Sequence, residues 1–490
     1  MGQGWWVQAM DRPNILLVSF DDAVAPWPYK TAFNEPLQTP NIDRLCDVST
    51  AFHAAYAQAP ICGPSRASFM TTMMPPELGI LDNSTFVFDK VAPETAFSYG
   101  LKQSGYFCSS GGKVHHRYKP LAPVHHRVLY SDRRKVFSAD MGLPREMWPR
   151  ARRYGGHRRG WATLDAADDG FYYDAQSADS AVSFLQGYDR PQPFYREVGF
   201  FSPHVPNIAP ARFRDLYDPA NLRKPADWGG YIDDNPYVSA RIPENPDLRS
   251  DDWWQKTIRN YFSAYTHGDF HLGRVLDALA ASRHAANTVI ILVSDHGFHL
   301  GNRNLFRKTT MWEQSLRVPF VIHDPRAPVG RVVSDPVALI DLGPTILDFA
   351  GISPPAPDTG GAATEVQRHG RSLRPMLSGA SDPDRAIASF YTRNATVRQG
   401  RHRIIRYGDG SYQLFDVEND FWQLHDLGTA HPAFEGLQNR LLAIMEDCGF
   451  DPDSMPDVMP DALEDTADAA DGPALAEGLE GGADLSGTQA

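Results

Sequence analysis

The five residues Cys62-Gly63-Pro64-Ser65-Arg66 concentrate more reactive chemistry than any other segment of this 490-residue chain. Proline suits the start of a helix, where its missing N–H costs nothing. The pattern therefore predicts a helix opening at Pro64, with Cys62 at the positive end of its dipole. Backbone N–H groups and Arg66 are then available to an anion. A lone cysteine in such a place is ordinarily a small buried apolar residue. Acidic residues elsewhere give this one weight. Asp21-Asp22 closes the apolar run Asn14-Ile15-Leu16-Leu17-Val18-Ser19-Phe20, and Asp295-His296 closes a second run, Asn287 to Ser294. Either pair alone ordinarily marks a turn. Three carboxylates and an imidazole gathered at strand ends would make an oxygen-rich site for a hard divalent cation.

These residues are far apart in the chain, so regular elements must assemble them. Short apolar runs at Asn14–Phe20, Glu197–Phe201, Asn287–Ser294 and Val318–Ile322 read as buried parallel strands. Amphipathic stretches at Asp174–Gln186, Asp252–Ser282 and Asp341–Ala350 read as helices between them. Strands alternating with helices imply an α/β sheet covered on both faces, with ligands beyond the carboxyl ends of the strands. After a Pro/Gly/Ala/Thr-rich linker at 353–370, a hairpin over 401–417 and a helix over 433–448 suggest a smaller α+β unit. The predicted division is a catalytic domain over 1–375, an α+β domain over 376–450, and a tail over 451–490.

Composition narrows the class. Hydrophobic residues make up 42% and charged residues 22%, an ordinary globular balance. No apolar run is long enough to span a membrane, and no basic-then-apolar leader precedes Met10, so a cytoplasmic location is expected. Four scattered cysteines, Cys46, Cys62, Cys108 and Cys448, make no disulfide framework. The net charge of −13 comes mostly from the tail, where residues 451–490 hold eleven acids and no Lys or Arg. Residues 111–160 instead hold thirteen Lys or Arg, three acids and five histidines. That stretch is either a solvated basic face or a funnel for an anionic substrate. No nucleic-acid recognition motif accompanies it. His267 and His271 have metal-binding spacing on a helix but no third ligand nearby, so a structural role is expected.

Several motifs occur in one order: Pro13-Asn14-Ile15-Leu16 leading to Asp21-Asp22, Thr39-Pro40-Asn41-Ile42-Asp43-Arg44-Leu45, the Cys62 motif, and Gly112-Lys113-Val114-His115-His116. Pro203-His204-Val205-Pro206, Ser294-Asp295-His296-Gly297 and Arg307-Lys308 follow. Together they resemble the type I sulfatases of the alkaline phosphatase superfamily, and within them the iduronate-2-sulfatase-like group. The resemblance runs from Pro13 to Leu377 and more loosely to Gly449. It implies an alkaline-phosphatase-like, mostly parallel sheet sandwiched by helices.

It also implies that a formylglycine-generating enzyme oxidises Cys62 to Cα-formylglycine, whose hydrate is the nucleophile. Asp21, Asp22, Asp295 and His296 would bind calcium together with residue 62, with magnesium or manganese ranking behind. His296 stands where many sulfatases carry Asn. By the same resemblance, Arg66, Lys113 and Lys308 hold the sulfuryl oxygens, and His204 or Lys308 protonates the leaving alcohol. His116 takes up the proton when sulfate is expelled. The implied substrate is a sulfated small molecule or saccharide. Two other readings stand beside this one: a phosphonate monoester hydrolase or phosphodiesterase of the same superfamily, and a non-catalytic binder of sulfated glycans.

Overall fold

A computed structural model describes residues 12–116, 120–138, 142–157, 160–228, 235–352 and 369–455. The expectations for the N-terminal extension, most of the 353–370 linker, and the tail from residue 456 lie outside them.

The central element is β1 (Asn14–Asp21), in which every residue is buried. Its side chains alternate between two cores, as the pleat requires. Ile15 and Leu17 face one cluster, with Phe69, Leu342 and Ile346. Leu16, Val18 and Phe20 face the other, with Phe200, Phe262 and Tyr265. Each such side chain contributes about 1.5–3 kcal/mol on burial, so a one-residue slip in register would be prohibitive.

Six further strands complete the sheet: β2 (Thr50–Phe52), β3 (Phe107–Gly112), β4 (Phe194–Pro203), β5 (Thr288–Ser294), β6 (Phe320–His323) and β7 (Arg331–Val333). Their spatial order is β7-β2-β6-β5-β1-β4-β3. All neighbours are parallel except that β6 runs antiparallel to both β5 and β2. The carboxyl ends of β1, β4 and β5 therefore point the same way, and the polar residues after them meet.

Helices cover both faces. α1 (Cys62–Thr71) and α4 (Leu342–Phe349) pack on one side. α2 (Tyr173–Gly187) and the 30-residue α3 (Asp251–Ala280) pack on the other. The Ser250 hydroxyl caps α3 by accepting from the Trp253 N–H. No helix among the described residues is long and apolar enough to cross a membrane.

The C-terminal unit is an antiparallel sheet of β8 (Ile387–Tyr391), β9 (Asn394–Gln399), β10 (His402–Arg406) and β11 (Tyr412–Asp416), with α5 (Phe434–Asp447) beside it. It shares one apolar core with Tyr56, Met311, Trp312 and Leu316 of the larger unit. At that junction Arg403 donates to Glu313 at 2.6 and 2.9 Å, both side chains fully buried.

Candidate active site

Asp21 is the last residue of β1, and Asp22 turns away from it with φ 61°, in the left-handed region. Tyr261 of α3 pins this turn: its hydroxyl donates to the Asp22 carbonyl at 2.6 Å and accepts from the Val24 N–H at 3.0 Å. Asp295 and His296 follow β5, and the Asp295 carboxylate accepts from the Asp22 and His296 backbone N–H groups at 3.2 and 2.9 Å. His204 follows β4. Lys113 leaves β3 where Gly112 and Gly199 pass so closely that a Cβ on either would lie 1.9–2.0 Å from backbone oxygen. Only glycine permits that approach.

Cys62 is the first residue of α1, two positions ahead of the expected start at Pro64. Its Sγ lies 3.2 Å from His296 Nε2, 3.2 Å from Lys308 Nζ, 3.5 Å from Asp21 Oδ1 and 4.0 Å from Lys113 Nζ. Lys308 Nζ also reaches Asp22 Oδ1 at 2.9 Å and His204 Nε2 at 3.3 Å, while Lys113 pairs with Asp21. The imidazoles of His204 and His296 are oriented through Nδ1, by the carbonyls of Val205 at 2.6 Å and Gly297 at 2.9 Å.

Arg66 is held by the protein through most of its N–H groups. Its Nε donates to Asp295 Oδ2 at 2.9 Å, and Nη1 to the carbonyls of Lys113 and Val114 at 2.9 and 3.1 Å. Nη2 donates to the Phe20 carbonyl at 3.1 Å. Nη2 also lies 3.8 Å from Asp21 Oδ1, so the guanidinium bridges two of the site carboxylates. It ties β1, the Lys113 loop and Asp295 together beside residue 62.

Electrostatics follow from burial. Desolvation pushes the Cys62 thiol well above its ordinary pKa, and the Asp21 carboxylate adds to that. Burial also pushes Asp21 up, against the pull of Lys113. The same burial acts on Asp295, but Arg66 and then His296 outweigh it and hold that carboxyl well below the usual range. His116 is driven well down by burial and by Lys113, so it is neutral at pH 7.

The donor atoms of Asp21, Cys62, Asp295 and His296 all lie within 4.8 Å of one another, as do those of Asp21, Asp22, Cys62 and His204. Asp22 Oδ2 is buried without a hydrogen-bond partner among the described residues, a costly state for a carboxylate oxygen unless a cation completes it. Three carboxylates and an imidazole fit a hard divalent ion. The cluster is a candidate cation site.

The two adjacent histidines separate. His115 Nε2 meets the Tyr130 hydroxyl at 3.2 Å, which in turn donates to buried Glu197 at 2.5 Å. His116 Cγ lies 3.4 Å from where a Cβ on Gly63 would stand, beside Cys62. His267 and His271 sit on α3 away from this cluster, their Nε2 atoms 3.0 Å apart, with the Tyr172 and Phe213 rings against His267. Two supporting residues escaped sequence reasoning. Asn83 accepts from the Gly63 N–H at 2.8 Å. Glu313 anchors the segment after Lys308 to Arg403. Neither carries a local signal, because each acts through a partner distant in sequence.

A doubly covered α/β sheet with acids, lysines and histidines converging on one helix-start cysteine defines a hydrolase-type centre. Comparison with known proteins identifies which kind. The sulfatase family model matches residues 13–352, and the model for the C-terminal part of N-sulphoglucosamine sulphohydrolase matches residues 301–447. The chain belongs to the sulfatase family and is a sulfuric ester hydrolase of the type I, alkaline phosphatase superfamily kind. A sulfatase of Formosa agariphila is 30% identical over 434 residues, covering 84% of this chain and 82% of its own. Iduronate 2-sulfatase of Mus musculus is 28% identical, covering 75% and 74%. Among solved structures, one in complex with its substrate D-glucosamine-2-N,6-O-disulfate superposes with TM-score 0.66 at 23% identity, covering 90% of this chain and 99% of its own. The phosphonate monoester hydrolase of Agrobacterium radiobacter superposes with TM-score 0.71 at 19% identity, covering 89% and 96%.

Proposed function

We propose that this chain hydrolyses sulfate monoesters of carbohydrates, using residue 62 as Cα-formylglycine and a calcium ion held by Asp21, Asp22, Asp295 and His296. The observation that carries the reading is the convergence on Cys62 of Asp21, His296 and Lys308, all within 3.5 Å of Sγ. The relatives' carbohydrate substrates support the substrate class. The formylglycine-generating enzyme would be the maturation partner, acting on the Cys62-Gly63-Pro64-Ser65-Arg66 segment.

When bound, the cation supplies charge that polarises a sulfuryl oxygen, and the aldehyde hydrate supplies a nucleophile that a thiol held protonated by burial does not. The residues of the chain do the rest. Lys308 and Lys113 present ammonium groups beside residue 62, where negative charge gathers on the sulfuryl oxygens. His204 and Lys308 share a contact at 3.3 Å, so a proton held between them is in place for the leaving alcohol. His116, whose buried Nδ1 has no hydrogen-bond partner among the described residues, would take the proton released when sulfate departs, against the burial and Lys113 charge that hold it neutral. Arg66 holds the carboxylates and the Lys113 loop in register.

The test begins with intact-peptide mass analysis, since conversion of Cys62 removes about 18 Da, a step on the cysteine oxidation ladder. Protein verified in this way is then assayed on sulfated saccharides, 4-nitrophenyl sulfate, an aryl phosphodiester and a phosphonate monoester. Turnover of sugar sulfates above the others supports the proposal. A phosphodiester or phosphonate rate far above every sulfate rate would instead favour the hydrolase whose fold this chain shares. An unmodified thiol from the native host would favour a non-catalytic glycan binder.

A further inference from the structure

Arg259, on α3, is 9% exposed, yet its guanidinium makes no hydrogen bond or ion pair with any described residue, and its Nε is sealed from solvent. Four other buried arginines each donate to a partner. Arg66 and Arg403 are paired with Asp295 and Glu313, Arg196 donates to Ser109 and Ser180, and Arg303 donates to backbone carbonyls. A guanidinium whose Nε is sealed without a partner is costly to keep, and an anion at its open Nη edge would offset that cost.

Its surroundings add positive charge. Arg214 stacks over the Tyr154 ring, its Cζ 3.4 Å from the centroid, and its Nε is likewise buried without a partner. Arg152 Cζ lies 5.7 Å from the same ring. Asp215 and Asp218 are the carboxylates that act on Arg259, but neither pairs with it, and Asp215 comes only to 4.0 Å from Arg214. Burial and then Arg214 push the Arg259 guanidinium down to about 10, which still leaves it charged at pH 7.

The cluster is joined to segments that carry two residues of the catalytic site. Tyr154 belongs to the hairpin segment between Arg152–Arg153 and Trp161–Ala162. One end of that segment bridges to Ile208, four residues beyond His204. Its tip places His157 5.7 Å from the ring of Phe306, two residues before Lys308. Asn260, next to Arg259, donates to the Gly155 carbonyl at 2.9 Å. The segment thus connects the two flanks that deliver His204 and Lys308.

We propose that Arg259 and Arg214, with Arg152 at their exposed edge, form a second anion site at the rim, holding another sulfate or carboxylate of the saccharide whose ester is cleaved. The substrate class is then a polyanionic saccharide rather than a singly sulfated one. This rests on the reading of the reaction given above.

The test uses calorimetric binding to the full chain and two probes: a tetrasaccharide of uronic acid and 2-N,6-O-disulfated glucosamine, and glucosamine 6-O-sulfate. Arg259→Gln is expected to weaken the tetrasaccharide about tenfold while leaving the monosulfate within about twofold, and Arg214→Gln to act in the same direction. Arg259→Met is expected to hold or raise the melting temperature, because it removes a charged group whose sealed Nε has no partner. Equal losses on both probes, no loss on either, or a lowered melting temperature in Arg259→Met would overturn the site. Inorganic sulfate competing as well as the tetrasaccharide would also overturn it, since the anion would then need no saccharide. Hydrolysis of 4-nitrophenyl sulfate separates the two readings. Intact turnover with unaltered tetrasaccharide binding in Arg259→Gln defeats the rim site alone, whereas no turnover of any sulfate ester defeats the reaction.

Discussion

Arg66 and Asp295, 229 residues apart in the chain, form an ion pair at 2.9 Å in which neither side chain is more than 1% exposed. The pair joins the middle of α1 to the residue that follows β5, and so holds the helix that carries Cys62 against the carboxylates.

Removing one partner of such a pair leaves the other buried and uncompensated, at a cost of about 3–5 kcal/mol. Arg66→Ala is therefore expected to lower the urea midpoint and to abolish turnover. Arg66→Lys should recover only part of the stability, because one ammonium cannot replace a fork that meets a carboxylate and three carbonyls. Wild-type stability in Arg66→Ala would refute the structural role assigned to it.

The lysine and histidine beside residue 62 should respond differently to the leaving group. His204→Gln is expected to slow sugar sulfates by about 100-fold, the usual scale of general acid catalysis. It should spare 4-nitrophenyl sulfate, whose leaving group departs as a stable anion. Lys308→Met should slow both, since it removes charge from the sulfuryl oxygens. A His204 variant that slows both substrates equally would take the proton-donor role away from His204.

Chelation is expected to lower the melting temperature and stop turnover, and calcium to restore both. At a hundred times its dissociation constant a cation adds about 2.7 kcal/mol of stability. Asp22→Asn should blunt this calcium-dependent stabilisation. Restoration by magnesium or manganese but not by calcium would overturn the choice of ion.

Stability should fall on the acid side for a reason remote from catalysis. Burial, and then Arg212, push His267 down to about 3. The unfolded chain takes up this proton near pH 6.5 and the folded chain does not, so stability is full above 6.5 and is lost as pH falls towards 3. At pH 5 the loss from this one group is about 2 kcal/mol. His271, 3.0 Å away, is shifted in the same direction by burial and by His267 itself. Thermal midpoints measured between pH 7 and 5 should drop in the wild type and drop less in His267→Gln. Parallel profiles for the two proteins would contradict this.

Apolar runs that end abruptly in acids marked β1 and β5 in the sequence, and the long amphipathic pattern marked α3 to within two residues. β3 was not legible. Its residues, Phe107-Cys108-Ser109-Ser110-Gly111-Gly112, are mostly small and polar, and it is a strand because β4 offers it an edge to pair with. β2 and β7 are three residues each, too short for any period to show. The Val318–Ile322 run reads as one more parallel strand, but Phe320–His323 joins the sheet antiparallel, a choice made by chain direction and not by composition.

The sequence by itself determined the kinds of donor and roughly where they would stand: carboxylates and imidazoles after buried strands, a cysteine at a helix start, lysines in matching segments. These follow from residue type and local periodicity, which act over a few neighbours. Tertiary structure alone decided what each group faces. It turned Arg66 onto Asp295 and backbone carbonyls, sent His115 to Tyr130 and His116 towards residue 62, and buried Arg259 without a counter-ion. Those outcomes depend on which surfaces are excluded from water together, a property of the packed chain that no single segment carries.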